Sequence, residues 1–167
     1  MLNKIFLFLC PILAFAGSID VGFSPEGTSL PLVLKAINSA KTSICMATYS
    51  FTSAPVAKAL TEAKKRGVNI KIVSDEKGNN NKYTATRYLA NQGLDVRLNG
   101  NYAIMHNKFI VVDNQTVETG SFNYSSGAVD KNAENVLVMW NYPDVAAKYS
   151  KECDRLYNEA SPVGKSY

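Results

Sequence analysis

The sequence predicts an α/β fold, a mixed β-sheet flanked by helices on both faces. Three observations lead there. Apolar strand-like runs alternate with helical periodicity as far as Leu98. Consecutive strands follow between Lys108 and Trp140, and an amphipathic helical pattern then closes the chain from Pro143.

Val21-Gly22-Phe23-Ser24-Pro25 reads as a short strand ending in a turn. Ser29 is placed to cap a helix with Pro31 in its first turn, and Leu32, Ala36, Ile37 and Ala40 form its apolar face. Ser43 to Phe51 is a largely apolar strand of the kind covered on both faces. Ser53 and Pro55 open a second helix, which ends at Lys64-Lys65-Arg66 and Gly67. Lys64 to Arg66 reads as a solvated helix end opposing the dipole. Val68 to Val73 is a strand, Lys77 to Asn81 a polar loop, Thr84 to Gln92 a third helix and Leu94 to Leu98 a short strand. Lys108 to Asp113 and Val117 to Phe122 are strands joined by a turn at Asn114, and Asn135 to Trp140 is a buried strand. The last helix carries Val145, Ala146, Tyr149, Cys153, Leu156 and Tyr157, and the tail from Ser161 to Tyr167 reads as loose. No repeat or low-complexity tract interrupts this order.

The first residues read as a secretory signal: Lys4, an apolar stretch from Ile5 to Phe15, and an A-x-A site ending at Ala16. The stretch is too short to span a membrane, which takes roughly 20 apolar residues. Residues 1–16 are therefore expected to be cleaved, leaving 17–167 as one domain in the periplasm or outside the cell. The net charge of +4 permits a polyanionic partner without demanding one. No amphipathic membrane helix is evident in the mature chain, so stable membrane association is not expected. Cys45 and Cys153 have the opportunity to pair in an oxidising compartment; otherwise Cys45 is a small buried hydrophobe and Cys153 a helix residue. These thiols and one histidine show no metal-ligand spacing, and neither metal nor cofactor is expected.

The chemistry is concentrated in one run, His106 to Asn123, with the spacing H-x-K-x4-D-x6-G-S-x-N. It holds the only histidine of the chain. His106 and Lys108 share a face of an extended backbone, as do Ser121 and Asn123 on the next strand. A nucleophile or acid–base group, a cation and two neutral hydrogen-bond donors suit a phosphodiester under attack. Asp113 lies seven residues from His106, an odd offset that puts it on the opposite face, so its expected role is structural. Gly120 is expected to allow a close approach. Glu134 is placed to accept a hydrogen bond from His106 and fix its tautomer. Lys82, Arg87 and Lys131 are weaker candidates for phosphate contact, and no element suited to base readout is found.

This spacing resembles the HKD signature of the phospholipase D superfamily, with His106, Lys108, Asp113, Gly120, Ser121 and Asn123 all in place. The opening VGFSP and the stretch Ala133-Glu134-Asn135 extend the likeness, most of all to the small single-motif endonucleases of bacteria. The resemblance implies an α-β-α sandwich and a homodimer whose site is built from two copies of the motif. It also implies metal-independent cleavage of DNA through a phosphohistidine, with a 5′-phosphate product; little sequence preference is expected because the small size leaves no room for a separate recognition domain. One histidine per chain supports the dimer independently, because a two-fold axis supplies the second. Lipid-cleaving members share the motif, so a phospholipid headgroup is the alternative substrate. A non-catalytic nucleic-acid-binding module is a third reading.

Overall fold

The computed structural model describes residues 16–79, 81 and 84–164. The signal-peptide reading falls outside these residues except at Ala16, and Lys82 also lies outside them.

In chain order the elements are β1 (Ser18–Ser24), α1 (Ser29–Ser39), β2 (Ser43–Thr48), α2 (Ala54–Lys65), β3 (Asn69–Asp75), α3 (Glu76–Asn79), α4 (Ala85–Asn91), β4 (Asp95–Asn99), β5 (Phe109–Val112), β6 (Thr116–Gly120), α5 (Ser126–Asp130), β7 (Glu134–Trp140), α6 (Pro143–Asn158) and β8 (Ser161–Pro162). The strands form one eight-stranded sheet in the order β1-β7-β6-β5-β2-β3-β4-β8. β2, β3 and β4 are parallel, while β5 runs antiparallel to β2 and the remaining pairings are antiparallel. The predicted mixed sheet with helices on both faces is the observed architecture.

Alternation along the strands divides the core into two layers. Ile44, Met46, Ile70, Ile72, Ile110, Val112, Val136 and Val138 face α1, α2 and α4. Ala47, Val73, Phe109, Val111 and Val117 face α6 and meet its Ala146, Cys153, Leu156 and Tyr157. Central strands covered on both sides are the reason Ser43 to Phe51 reads as nearly continuous apolar sequence.

Several local expectations change. Thr28, not Ser29, occupies the N-cap of α1, and Ser29 is the buried first helical residue. Ser53 does cap α2, its hydroxyl accepting the Val56 N–H. The polar stretch after β3 begins with the short helix α3, where Asp75 accepts the Gly78 N–H. The tail adds β8 to the edge of β4. Arg66 is not merely solvated: its guanidinium donates to the carbonyls of Ile37, Asn38 and Ala40 at the end of α1.

Cys45 and Cys153 form a disulfide across 108 residues, tying β2 to α6. Closing so long a loop in the unfolded chain is worth on the order of 4 kcal/mol. Reduction is expected to lower the melting temperature markedly, as is the Cys45→Ala/Cys153→Ala pair. A thermal scan unchanged by reductant would contradict this.

Candidate active site

The sheet topology gathers one set of strand ends at a single edge. β2, β3, β4, β6 and β1 end there, and β5 and β7 begin there. Tyr49, Asp75, Lys108, Ser121 and Glu134 are thereby neighbours in the fold although scattered in sequence.

His106 and Lys108 lie in the irregular segment just before β5, not within a strand as expected. His106 is exposed, and its ring packs against Tyr49 with centroids 4.8 Å apart and planes at 64°. Lys108 is only 8% exposed. Its ammonium donates to the backbone carbonyl of His106 at 2.8 Å and lies 5.6 Å from the centroid of the Tyr49 ring. Burial pushes the Lys108 ammonium below its ordinary pKa, while the negative charge of Glu134 pulls it back. A cation with little water around it acts more strongly on a phosphoryl oxygen.

Ser121 and Glu134 form a second group. The Ser121 hydroxyl donates to Glu134 at 2.6 Å and accepts the Asn135 N–H at 3.0 Å. Asn132 donates to the other Glu134 oxygen at 2.9 Å. Within one chain Glu134 therefore does not take the expected bond from His106. It opens β7, two strands from β5, and Ser121 and Asn132 occupy its oxygens. Gly120 pairs with Val136, and a Cβ there would overlap the carbonyl oxygen of Asn135.

Asn123 follows Phe122 in the turn after β6, and its side-chain Oδ1 is buried with no hydrogen-bond partner among the described residues. Its neighbour Tyr124 anchors this turn. The Tyr124 carbonyl accepts the N–H groups of Thr52 and Ser53, and its hydroxyl donates to the buried Glu118 at 2.5 Å. Burial raises the Glu118 carboxyl to about 8, against which the tyrosine hydrogen bond acts.

Asp113 is at the far edge of the sheet, in the turn between β5 and β6, where its φ is +53°. Its carboxylate accepts hydrogen bonds from the N–H groups of Lys41, Thr42 and Ser43 and from the Thr42 hydroxyl, at 2.8–2.9 Å. Position, not side-chain parity, separates it from His106. Among the weaker candidates, Lys131 is exposed at the end of α5, one residue before Asn132, and Arg87 is half-buried on α4 with contacts of its own.

Sequence reasoning missed Tyr49, Asp75, Asn79 and Glu118. Tyr49 and Asp75 carried a usable signal, since residues at the carboxyl ends of parallel strands commonly face ligands.

Comparison with known proteins now decides the family. The domain family described as "Cardiolipin synthase, PLD-like domain" matches residues 33–157. The chain belongs to the phospholipase D superfamily. Among solved structures it is similar to Nuc from Salmonella typhimurium, a phospholipase D family member. That likeness has a TM-score of 0.88 and 48% identity, and covers 90% of this chain and all of Nuc. NucT from Helicobacter pylori aligns with a TM-score of 0.81 and 26% identity, over 89% of this chain and all of NucT. A phospholipase D of Rickettsia conorii is 33% identical over 117 residues, 70% of this chain. The aligned region spans 58% of the length of that relative.

The Asp113 geometry generates a test. Burial opposes ionisation, but the bonds from Ser43, Thr42 and Lys41 outweigh it and hold the carboxyl below its ordinary value of 3.8. The resulting stability is present above that value and lost as pH falls through the lower folded-state pKa. Asp113→Asn should cost about 1–3 kcal/mol at neutral pH, the difference from wild type shrinking in acid. Chemical denaturation across pH checks this, and kcat per folded molecule should change far less. A fully stable but inactive variant would contradict the structural role.

Proposed function

We propose that this protein is an exported, metal-independent endonuclease that cleaves DNA as a homodimer through a phosphohistidine. The observation that carries the reading is an exposed imidazole next to a buried lysine, at the sheet edge that also carries Ser121 and Glu134. The likeness to Nuc and NucT over most of this chain, and over the whole of each of them, supports a nucleic acid as substrate. Localisation to the periplasm or medium rests on the leader read at residues 1–16.

Two features support the dimer. One chain supplies one histidine, while in-line displacement with an acid for the leaving group uses two. The α6 side of the sheet also has an uncovered apolar strip next to the site. Ile19, Val21 and Phe23 of the edge strand β1 are 51%, 54% and 48% exposed and stand opposite Met139, Leu137 and Asn135 of β7. The same row continues through Asn135 to Ser121. A second copy docked there would cover the strip and close over the catalytic edge.

The proposed reaction has two steps. Neutral His106 of one subunit attacks phosphorus; an N–P bond forms as the bond from phosphorus to the leaving oxygen breaks. Protonated His106 of the partner subunit gives its proton to that oxygen. The partner's His106, now neutral, takes a proton from water, and the water oxygen displaces the first histidine from phosphorus. Both subunits are then in their starting states overall. Lys108 and Asn123 hold the non-bridging oxygens. Glu134, supported by Ser121, supplies the negative charge that keeps the local cations protonated, and across the dimer it is available to an imidazole.

A phospholipid is the other substrate this chemistry admits, and the Rickettsia relative carries the name phospholipase D. Among the described residues no helix is long and apolar enough to cross a membrane.

The test is cleavage of plasmid and single-stranded DNA in excess EDTA by wild type, His106→Ala and Val21→Lys. Wild type should cut, His106→Ala should lose at least a thousandfold while still binding DNA, and Val21→Lys should be monomeric and inactive. No DNA cleavage, with headgroup release from phospholipid vesicles, would overturn the nuclease reading in favour of the lipase. A fully active monomer would overturn the shared site.

A further inference from the structure

We propose that Tyr49 is a positioning residue whose ring sets both the imidazole of His106 and the ammonium of Lys108 for the reaction. This rests on the phosphohistidine reading and adds to it a residue outside the motif. Three contacts close a triangle. The Tyr49 ring packs on the His106 ring at 4.8 Å. The Lys108 ammonium sits 5.6 Å from the same tyrosine ring, within cation–π range. That ammonium also donates to the His106 carbonyl at 2.8 Å.

The need for such a wall is physical. His106 is exposed on irregular backbone, and among the described residues no hydrogen bond reaches either of its ring nitrogens. An imidazole with two free torsions spends little time aimed at phosphorus. An edge-on aromatic neighbour removes rotamers without consuming a nitrogen lone pair, leaving the nucleophile free. Burial also depresses the Lys108 pKa, and a π face stabilises its charged form without neutralising it.

The backbone around Tyr49 is itself held in place. The Asn79 amide donates to the Tyr49 carbonyl at 2.5 Å and to the Asp75 carbonyl at 2.9 Å, and its oxygen accepts the Phe51 N–H at 3.1 Å. The buried Asp75 carboxylate accepts the Gly78 N–H on one oxygen and the Met105 N–H on the other, each at 2.7 Å. Met105 immediately precedes His106. A Cβ at Gly78 would lie 2.8 Å from the Tyr49 carbonyl oxygen, so α3 fits here only with glycine at that position. One polar bracket thus fixes the exit of β2, which carries Tyr49, and the entry to His106. The two rings meet because the Asn79 amide holds the Tyr49 segment, the Asp75 carboxylate holds Met105, and Asn79 is bonded to the Asp75 carbonyl.

The experiment compares wild type, Tyr49→Phe and Tyr49→Leu on DNA and on bis(p-nitrophenyl) phosphate, with melting temperature as the folding control. It also records the ring-proton NMR of His106, which as the only histidine gives a single set of resonances. Tyr49→Phe keeps the ring and should stay within about threefold of wild-type kcat, with the ring-current displacement of His106 retained. Tyr49→Leu should lose about 10–100-fold in kcat on both substrates, with KM for DNA little changed and the displacement gone. A folded Tyr49→Leu with wild-type kcat would overturn the proposal, as would a Tyr49→Phe as impaired as the leucine variant. A wild type that hydrolyses neither substrate would overturn the phosphodiesterase reading instead, while the NMR comparison would still decide whether Tyr49 holds the ring.

Discussion

The register between β2 and β5 is the constraint on which the rest depends. These two strands are the centre of the sheet, and their antiparallel pairing matches Ile44 with Val112 and Ala47 with Phe109. It sends the exit of β2 and the entry of β5 to the same edge, which brings Tyr49 to His106. A slip of one residue would turn every side chain of β5 to the wrong layer and pull the site apart. Asp113 guards this register from the opposite edge, with four hydrogen bonds to Lys41, Thr42 and Ser43 at the start of β2. The acid of the motif thus acts on backbone alignment at the far end of the strand.

Around that axis the polar groups divide into holders and reagents. Asp75, Asn79 and the Glu118–Tyr124 pair are buried, and each is bonded to backbone or side chain across two or more elements. Ser121 and Glu134 join the turn after β6 to the start of β7. His106 is exposed, and among the described residues its ring nitrogens make no hydrogen bond. A rigid edge presenting an exposed imidazole and a buried cation suits a reaction whose barrier is mostly positioning and charge. The exposed apolar strip of β1 lies beside this edge and supports the proposal that a second chain completes it.

The fold was legible because the strongest signals were periodic. The doubly covered β2 and the amphipathic α1, α2 and α6 read directly from apolar spacing, and Ser53 and Gly67 marked the ends of α2. What did not read depended on partners distant in sequence. α3 exists because Asp75 and Asn79 bond to segments near residues 50 and 105, which no local window contains. β8 exists because β4 has an open edge. Strand parity placed His106 and Lys108 inside a strand, whereas β5 starts only at Phe109 and their proximity comes from the Lys108–His106 carbonyl bond and the Tyr49 ring. Glu134 was legible as important but not as the partner of Ser121, since the expected bond to His106 ignored the two-strand separation.

In the proposed reaction two chains make one site, with a single attacking histidine. Rapid-quench of the wild-type dimer with a phosphorus-labelled oligonucleotide tests it most directly, by counting acid-labile, base-stable phosphate on His106 per chain. A shared site gives one labelled His106 for every two chains. One label on every chain would show that each subunit is catalytically self-sufficient, and label on any other residue would remove His106 as the nucleophile.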